Sequence, residues 1–229
     1  MGIGAPPRIL PAAARDRGIR VPILVYHAVD DSGLTYSVTP QQLDAQCRWL
    51  LFHGYTTITL HQFWQAARGR AELPPHPALL TDDDGGPSAL IFARILARHG
   101  LAGTYFVNNV SPLTPRQIRA LARRGTVEAH TVSHVALSTL SYPDQFIEVA
   151  RNVGYLEQVT GRPVRFLAWP YGDFDERAIH AARAAGVVAA FALGGAPADL
   201  AAIDRYAITR ITIYVDDDLA TFAAKVSGG

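Results

Sequence analysis

Apolar residues along this chain follow two rhythms. Short apolar runs, several of them closing on a polar cluster, alternate with stretches in which apolar positions recur every three or four residues. The runs at 21–26, 56–59, 77–81, 103–107, 127–131, 164–168 and 187–193 predict strands, and 206–214 alternates as a further one. The stretches 40–52, 61–68, 88–99, 115–124, 143–160, 176–185 and 219–226 predict helices. Thr39 followed by Pro40 is a helix start, with the threonine as N-cap and proline at the first helical position. Gly54, Gly100, Gly161 and Gly186 stand where helices should stop. Residues 30–36 form a polar loop, and 194–202, small and loosely patterned, reads as a surface loop.

Strands alternating with helices of about 10–15 residues predict repeated βαβ units and a mostly parallel sheet. About seven such units predict an α/β fold, a (β/α) barrel that is complete or incomplete. Polar clusters fall where strands end, and in barrels that rim carries the active site.

Composition narrows the picture. The chain has 229 residues, 49% hydrophobic and 18% charged, which suits one globular domain with a sizeable core. Net charge is +1, and Lys225 is the only lysine. With no basic block, a nucleic-acid or anionic-membrane binder is disfavoured. Cys47 is the only cysteine and reads as a small core residue. Residues 1–20 read as an N-terminal extension to a domain spanning 21–229. They hold no apolar run of about 7–15 residues and so do not read as a secretory signal. No stretch is long and apolar enough to predict a transmembrane helix.

Candidate chemistry gathers at three strand ends: Thr81-Asp82-Asp83-Asp84-Gly85, His130-Thr131-Val132-Ser133-His134 and Trp169-Pro170-Tyr171-Gly172; Tyr26-His27 is a fourth place. The histidine pair is weak alone, since eight histidines give about 0.3 such pairs by chance. Two imidazoles with one carboxylate, however, suit zinc or a similar divalent ion and leave a position open for water. Three consecutive carboxylates repel one another, and a bound cation would relieve that repulsion.

In order and spacing, Thr81–Gly85, His130–His134 and Pro170-Tyr171-Gly172 resemble the motifs of the polysaccharide deacetylase family, the NodB-like group or carbohydrate esterase family four. The resemblance spans residues 21–214. It implies a distorted (β/α) barrel and hydrolysis of N-acetyl groups from an N-acetylated glycan, with release of acetate. It implies one divalent metal, zinc first, with cobalt, nickel or iron also compatible. Anchored on Thr81 and Gly85, it makes Asp83 the general base and Asp84, His130 and His134 the metal ligands. The backbone N–H of Tyr171 would help hold the oxyanion, while Trp169, Pro170 and Tyr171, with Tyr26 as a further candidate, would wall the sugar site. Within the family, Val25-Tyr26-His27 and Ala168–Gly172 resemble the poly-β-1,6-N-acetylglucosamine de-N-acetylases, in which the early histidine is the general acid; here that is His27. That subgroup's setting implies an extracytoplasmic location.

The chain departs from the family pattern at three places, one being that the arginine common early in the third motif is absent, as it often is in that subgroup. Asp82 stands where the family carries phenylalanine, which leaves the aspartate run one residue richer than the motif. Gly86 stands where an aromatic residue is usual. Arg165 and Arg210 are both candidates to orient the base carboxylate. A metal amidase acting on a small cyclic amide and a non-catalytic glycan-binding relative are the alternatives.

Overall fold

The computed structural model describes residues 18–228; the expected extension lies, apart from its last three residues, outside them. The strands are β1 (Arg20–Val21), β2 (Ile23–Tyr26), β3 (Ala28–Val29), β4 (Ser37–Val38), β5 (Thr56–Thr57), β6 (Pro77–Asp82), β7 (Gly103–Val107), β8 (Gly125–Ala129), β9 (Phe166–Ala168), β10 (Ala189–Phe191), β11 (Ala198–Asp199) and β12 (Ile211–Thr212). The helices are α1 (Pro40–Phe52), α2 (Leu60–Ala67), α3 (Ala89–Arg98), α4 (Pro115–Ala122), α5 (Tyr142–Thr160), α6 (Glu176–Ala184) and α7 (Leu219–Ser227). Thr39, Thr59 and Thr114 each close a capping box with the glutamine three residues on, which fixes where α1, α2 and α4 begin.

Seven strands form one curled parallel sheet in the order β10-β9-β8-β7-β6-β2-β12, and β5 adds to the start of β6. This is the distorted, incomplete (β/α) barrel that the sequence predicts. Its irregular side is the stretch expected as a strand at 206–214. Only Ile211–Thr212 pairs regularly, with β2, while Ile208 makes an isolated bridge to Phe191 and the Arg205 and Ile208 carbonyls accept from Ala190 and Ala192 N–H. One irregular segment thus spans both edges of the sheet, which satisfies the edge groups without a full strand. The 194–202 loop also differs from expectation. It contains β11, which pairs antiparallel with β1 through Val21 and Ala198.

Side-chain parity sorts the core into two layers, as the period of two requires. Ile23, Leu79, Phe106, Phe166 and Phe191 pack together inside the curl of the sheet. Their neighbours Leu24, Leu80, Tyr105, Leu167 and Ala190 face the helices, against residues such as Phe92, Leu121 and Leu156. Trp49 and Trp64 pack half-buried against these two clusters, in keeping with a core or barrel-exterior position.

Candidate active site

Parity along β6 separates the three aspartates. Thr81 shares its face with Leu79, inside the barrel; its hydroxyl donates to the Leu24 carbonyl at 2.9 Å. Asp82 shares its face with Leu80 and is sealed in the helix-facing layer. Neither of its carboxylate oxygens has a hydrogen-bond partner, and the hydroxyl of Tyr105, its partner in register on β7, has none either. Burial, reinforced by the charges of Asp83 and Asp84, pushes the Asp82 carboxyl well above its usual range.

Asp83 returns to the interior face and meets Arg210, which makes both Nη–Oδ contacts at 2.7 Å. Burial pushes the Asp83 carboxyl up, but Arg210 together with His130 and His27 holds the group below its ordinary value. Of the two arginines expected from sequence, Arg210 therefore does the pairing. Arg165 is exposed; its backbone N–H instead joins that of Phe166 on the buried Glu128 carboxylate.

The chain then turns sharply. Asp84 (φ 70°) and Gly85 (φ 66°) are both left-handed. A Cβ on Gly85 would lie 2.8 Å from Val107 Cγ1 and 3.0 Å from Ser111 Oγ, so glycine is required by both conformation and space. The turn aims Asp84 Oδ1 at His130 Nε2 (3.2 Å) and His134 Nε2 (3.0 Å). His130 follows the end of β8, and its Nδ1–H donates to the Ala168 carbonyl at 2.8 Å. That bond assigns the Nδ1 proton and turns Nε2, the other ring nitrogen, toward Asp84.

The ligand atoms of Asp84, His130 and His134 all lie within 4.8 Å of one another. Burial would raise the Asp84 carboxyl, yet its bonds to the two imidazoles hold it well below its usual range. Burial would likewise lower His130, and Asp84 raises it instead. A carboxylate and two imidazoles sharing one small space, with the Nδ1 proton of one already assigned, fit a divalent cation by the chemistry of the donor set.

The remaining expected residues stand around the same place. His27, at the end of β2, is mostly buried, its Nδ1 lacks a partner, and its ring packs 5.2 Å from that of Tyr36. Burial lowers its pKa against the opposing pull of Asp83 and Asp84. Tyr171 (φ 59°) is 67% exposed, and its ring lies 4.7 Å from that of His134. Trp169 borders the pocket but is 1% exposed, with Nε1 donating to the Tyr206 carbonyl and its ring stacked on Phe174. Pro170 is buried beneath the turn. Tyr26 does not reach a sugar site: it lies in the helix-facing layer, where its hydroxyl bonds Gln46.

These groups line a pocket of about 190 Å³, to which Tyr36, Gly172 and Leu193 also contribute. Sequence reading missed Tyr36 and Leu193, since nothing marks either apart from neighbouring loop residues. A larger cleft of about 530 Å³ lies at the opposite pole, beside the starts of β2 and β6. It gathers prolines and apolar residues with Arg20, Tyr55 and His76 but no carboxylate, whereas the smaller pocket brings two carboxylates and three imidazoles together. Of the five non-glycine residues with positive φ among those described, four (Asp84, Thr131, His134 and Tyr171) stand in the motifs. Such backbone costs about 1–3 kcal/mol per residue and persists where surrounding contacts over-determine it.

Comparison with known proteins agrees with this geometry. The family model described as Polysaccharide deacetylase matches residues 70–190, just over half of the chain. A Bacillus subtilis (strain 168) protein described as a polysaccharide deacetylase, YxkH, is 25% identical over 178 residues, which are 75% of this chain and 63% of that protein. The chain therefore spans less than two thirds of that relative's length. Among solved structures, Streptococcus pyogenes deacetylase PplD in complex with acetate superposes with a TM-score of 0.85 at 20% identity, covering 91% of this chain and 99% of that one. IcaB from Ammonifex degensii gives 0.80 at 22% identity, covering 90% and 97%. The BpsB deacetylase domain from Bordetella bronchiseptica gives 0.73 at 18%, covering 86% and 96%. At these identities the structures establish a shared fold.

Proposed function

Because the chain belongs to the polysaccharide deacetylase family, we propose that it hydrolyses N-acetyl groups of an N-acetylglucosamine-containing polysaccharide with one divalent metal, zinc first, held by Asp84, His130 and His134. The observation that carries this reading is the meeting, on one rim, of those three ligand atoms with the sealed Asp83–Arg210 pair. Bound there, the cation would supply Lewis-acid activation of a water molecule and of the acetyl carbonyl.

The protein's own groups do the rest. Asp83, kept ionised and oriented by the Arg210 fork, takes a proton from the attacking water. The water oxygen bonds to the acetyl carbon, and the Tyr171 backbone N–H donates to the oxygen that gains charge. The C–N bond then breaks, and His27 delivers a proton to the departing nitrogen. Acetate and a free amino sugar result. The exposed Tyr171 ring, with Tyr36 and Leu193, supplies apolar wall for a pyranose face, while Trp169 and Pro170 support that wall from behind.

The resemblance of Val25-Tyr26-His27 and Ala168–Gly172 to the poly-β-1,6-N-acetylglucosamine subgroup supports that polymer as substrate. It likewise supports an extracytoplasmic site of action and a single catalytic domain over 21–229. The test is acetate release from β-1,6- and β-1,4-linked N-acetylglucosamine oligomers, with metal, with chelator, and for Asp83→Asn. We expect release that needs metal, favours the β-1,6 oligomer and is lost in Asp83→Asn while metal stays bound. Binding of the oligomer that survives chelation, with no acetate from wild type, would instead make the chain a glycan binder.

A further inference from the structure

The turn that carries both histidines does not hold its own shape. Thr131 (φ 66°) and His134 (φ 55°) are left-handed, and a β-branched residue such as threonine disfavours that region strongly. Local contacts supply one restraint, the bond from His134 N–H to Thr131 Oγ1 at 3.2 Å.

The other restraints come from the loop after β7, where Val110 N–H donates to the Val132 carbonyl at 3.2 Å, and from α5. Asn152, fully buried, accepts from His130 N–H at 2.8 Å and donates to the Val107 carbonyl (2.9 Å) and to Asn109 Oδ1 (2.6 Å). Asn109 N–H in turn donates to the Val132 carbonyl at 3.0 Å. One helical turn earlier, the Glu148 carboxylate accepts from Val132 N–H (3.0 Å), Ser133 N–H (2.8 Å) and Ser133 Oγ (2.6 Å). Spaced four apart on one helix face, Glu148 and Asn152 therefore receive the backbone N–H groups of residues 130, 132 and 133.

We propose that Glu148 is a positioning residue for metal binding: its carboxylate clamps the 131–134 turn in the strained form that points His134 at Asp84. This rests on the reading of Asp84, His130 and His134 as a metal site. Glu148 makes no hydrogen bond to those three side chains; its partners are the backbone N–H groups of Val132 and Ser133 and the Ser133 hydroxyl. With the clamp removed, the turn can relax out of left-handed geometry, and His134, less buried than His130, would lose its aim first.

The experiment measures metal affinity directly. Full-length protein, stripped of metal, is titrated with Zn²⁺ against a chromophoric chelator, and the Co²⁺ form is examined by visible absorption. Wild type is compared with Glu148→Ala, Glu148→Gln and Ser133→Ala, and the thermal midpoint of each metal-free protein is recorded. Loss of supporting contacts of this kind weakens metal binding by about 10–100-fold, and we expect that range for Glu148→Ala. Glu148→Gln keeps an acceptor for the two N–H groups and should recover most of the affinity; Ser133→Ala, which deletes one of three contacts, should lose the least. The Co²⁺ spectrum of Glu148→Ala should change shape as one imidazole is displaced. Wild-type affinity and spectrum in Glu148→Ala, with only its thermal midpoint lowered, would reduce Glu148 to a structural contact and overturn the proposal. Should Glu148→Ala fail to fold, the same measurements on Glu148→Ser, whose shorter side chain also withdraws the acceptor, decide, and wild-type affinity and spectrum there would overturn the proposal equally. Failure of wild type itself to bind Zn²⁺ would instead sink the metal reading on which the proposal rests.

Discussion

Arg210 grips Asp83 with two parallel N–H···O bonds of 2.7 Å, and the two side chains are 1% and 2% exposed. The guanidinium also donates from Nε to the Ala192 carbonyl and lies 5.4 Å from the Phe106 ring centroid. A pair sealed this well is stabilising only while both charges are present. Removing one partner leaves an uncompensated buried charge at a cost of about 3–5 kcal/mol. Arg210→Met should therefore destabilise the metal-free protein by that order. Adding Asp83→Asn should restore part of the loss, because the stranded carboxylate is gone. Denaturant unfolding of the four members of this double-mutant cycle reads the coupling; strictly additive losses would show that the pair does not act as a unit. Every variant in the cycle should be inactive.

Asp82 presents the opposite situation, a carboxyl with nothing to hold. It lies at 0% exposure on the face of β6 that carries Leu80, opposite Tyr105 in register, with both oxygens unpartnered. An unsatisfied buried polar group costs about 1–3 kcal/mol. Asp82→Leu exchanges it for a side chain matched to the layer and should raise the thermal midpoint by about 2 °C or more in a chain of this size. Acetate release should stay near wild type, since parity turns Asp82 away from the pocket. A lowered midpoint would show that the carboxyl has a polar partner, such as an ordered water, worth more than the packing.

These two aspartates also mark how far sequence could be read. The alternation of apolar runs and amphipathic stretches was legible because period two and period 3.6 are written into consecutive residues. The motif clusters were legible for the same reason: each is short and follows a strand. The register of Asp82, Asp83 and Asp84 could not be settled from three identical letters, and it is the parity of Leu79, Leu80 and Thr81 inside a formed sheet that separates them. Glu148, Asn152 and Tyr36 gave no signal. The first two look like ordinary polar positions of an amphipathic helix, and Tyr36 sits in a polar loop. Their importance comes from tertiary contacts with residues 9–20 positions away or more. The strand expected at 206–214 failed differently. Its alternation is real, but Arg210 is drawn inward to Asp83, and the chain spends its hydrogen bonds on both edges in turn.

Glu128 should give the fold a pH dependence of its own. It is 3% exposed on β8, and its carboxylate accepts the N–H groups of Arg165 and Phe166 at 2.8 and 2.9 Å, tying the start of β9 to β8. Burial nevertheless dominates and pushes the carboxyl from 4.5 up to about 8. The folded state thus keeps a proton that the unfolded chain releases at its ordinary carboxylate pKa. Stability from this group is fully present below about pH 4.5 and is lost as pH rises toward about 8. The midpoint of urea unfolding of metal-free protein should fall across that window, and Glu128→Gln should flatten the fall. An unchanged slope in Glu128→Gln would place its origin in another buried carboxyl, of which Asp82 is the clearest.

Tyr171 joins two proposed roles in one residue, and the backbone lets them be separated. Its N–H is proposed to hold the developing oxyanion, whereas its ring, 67% exposed and 4.7 Å from that of His134, is proposed as a sugar wall. Its φ of 59° is one that glycine adopts freely and tyrosine does not. Tyr171→Gly therefore keeps the N–H and suits the turn, while deleting the ring. Relief of the left-handed conformation offsets the greater freedom that glycine gives the unfolded chain, so the thermal midpoint should move little. In steady-state assays of acetate release, kcat should stay within about threefold of wild type and KM should rise several-fold, because uniform binding is lost and transition-state binding kept. A kcat reduced by about a hundredfold at unchanged KM would assign catalysis to the ring or its hydroxyl. Removal of a single oxyanion donor costs about that much, so such a result would leave the backbone N–H with no distinct part in the reaction.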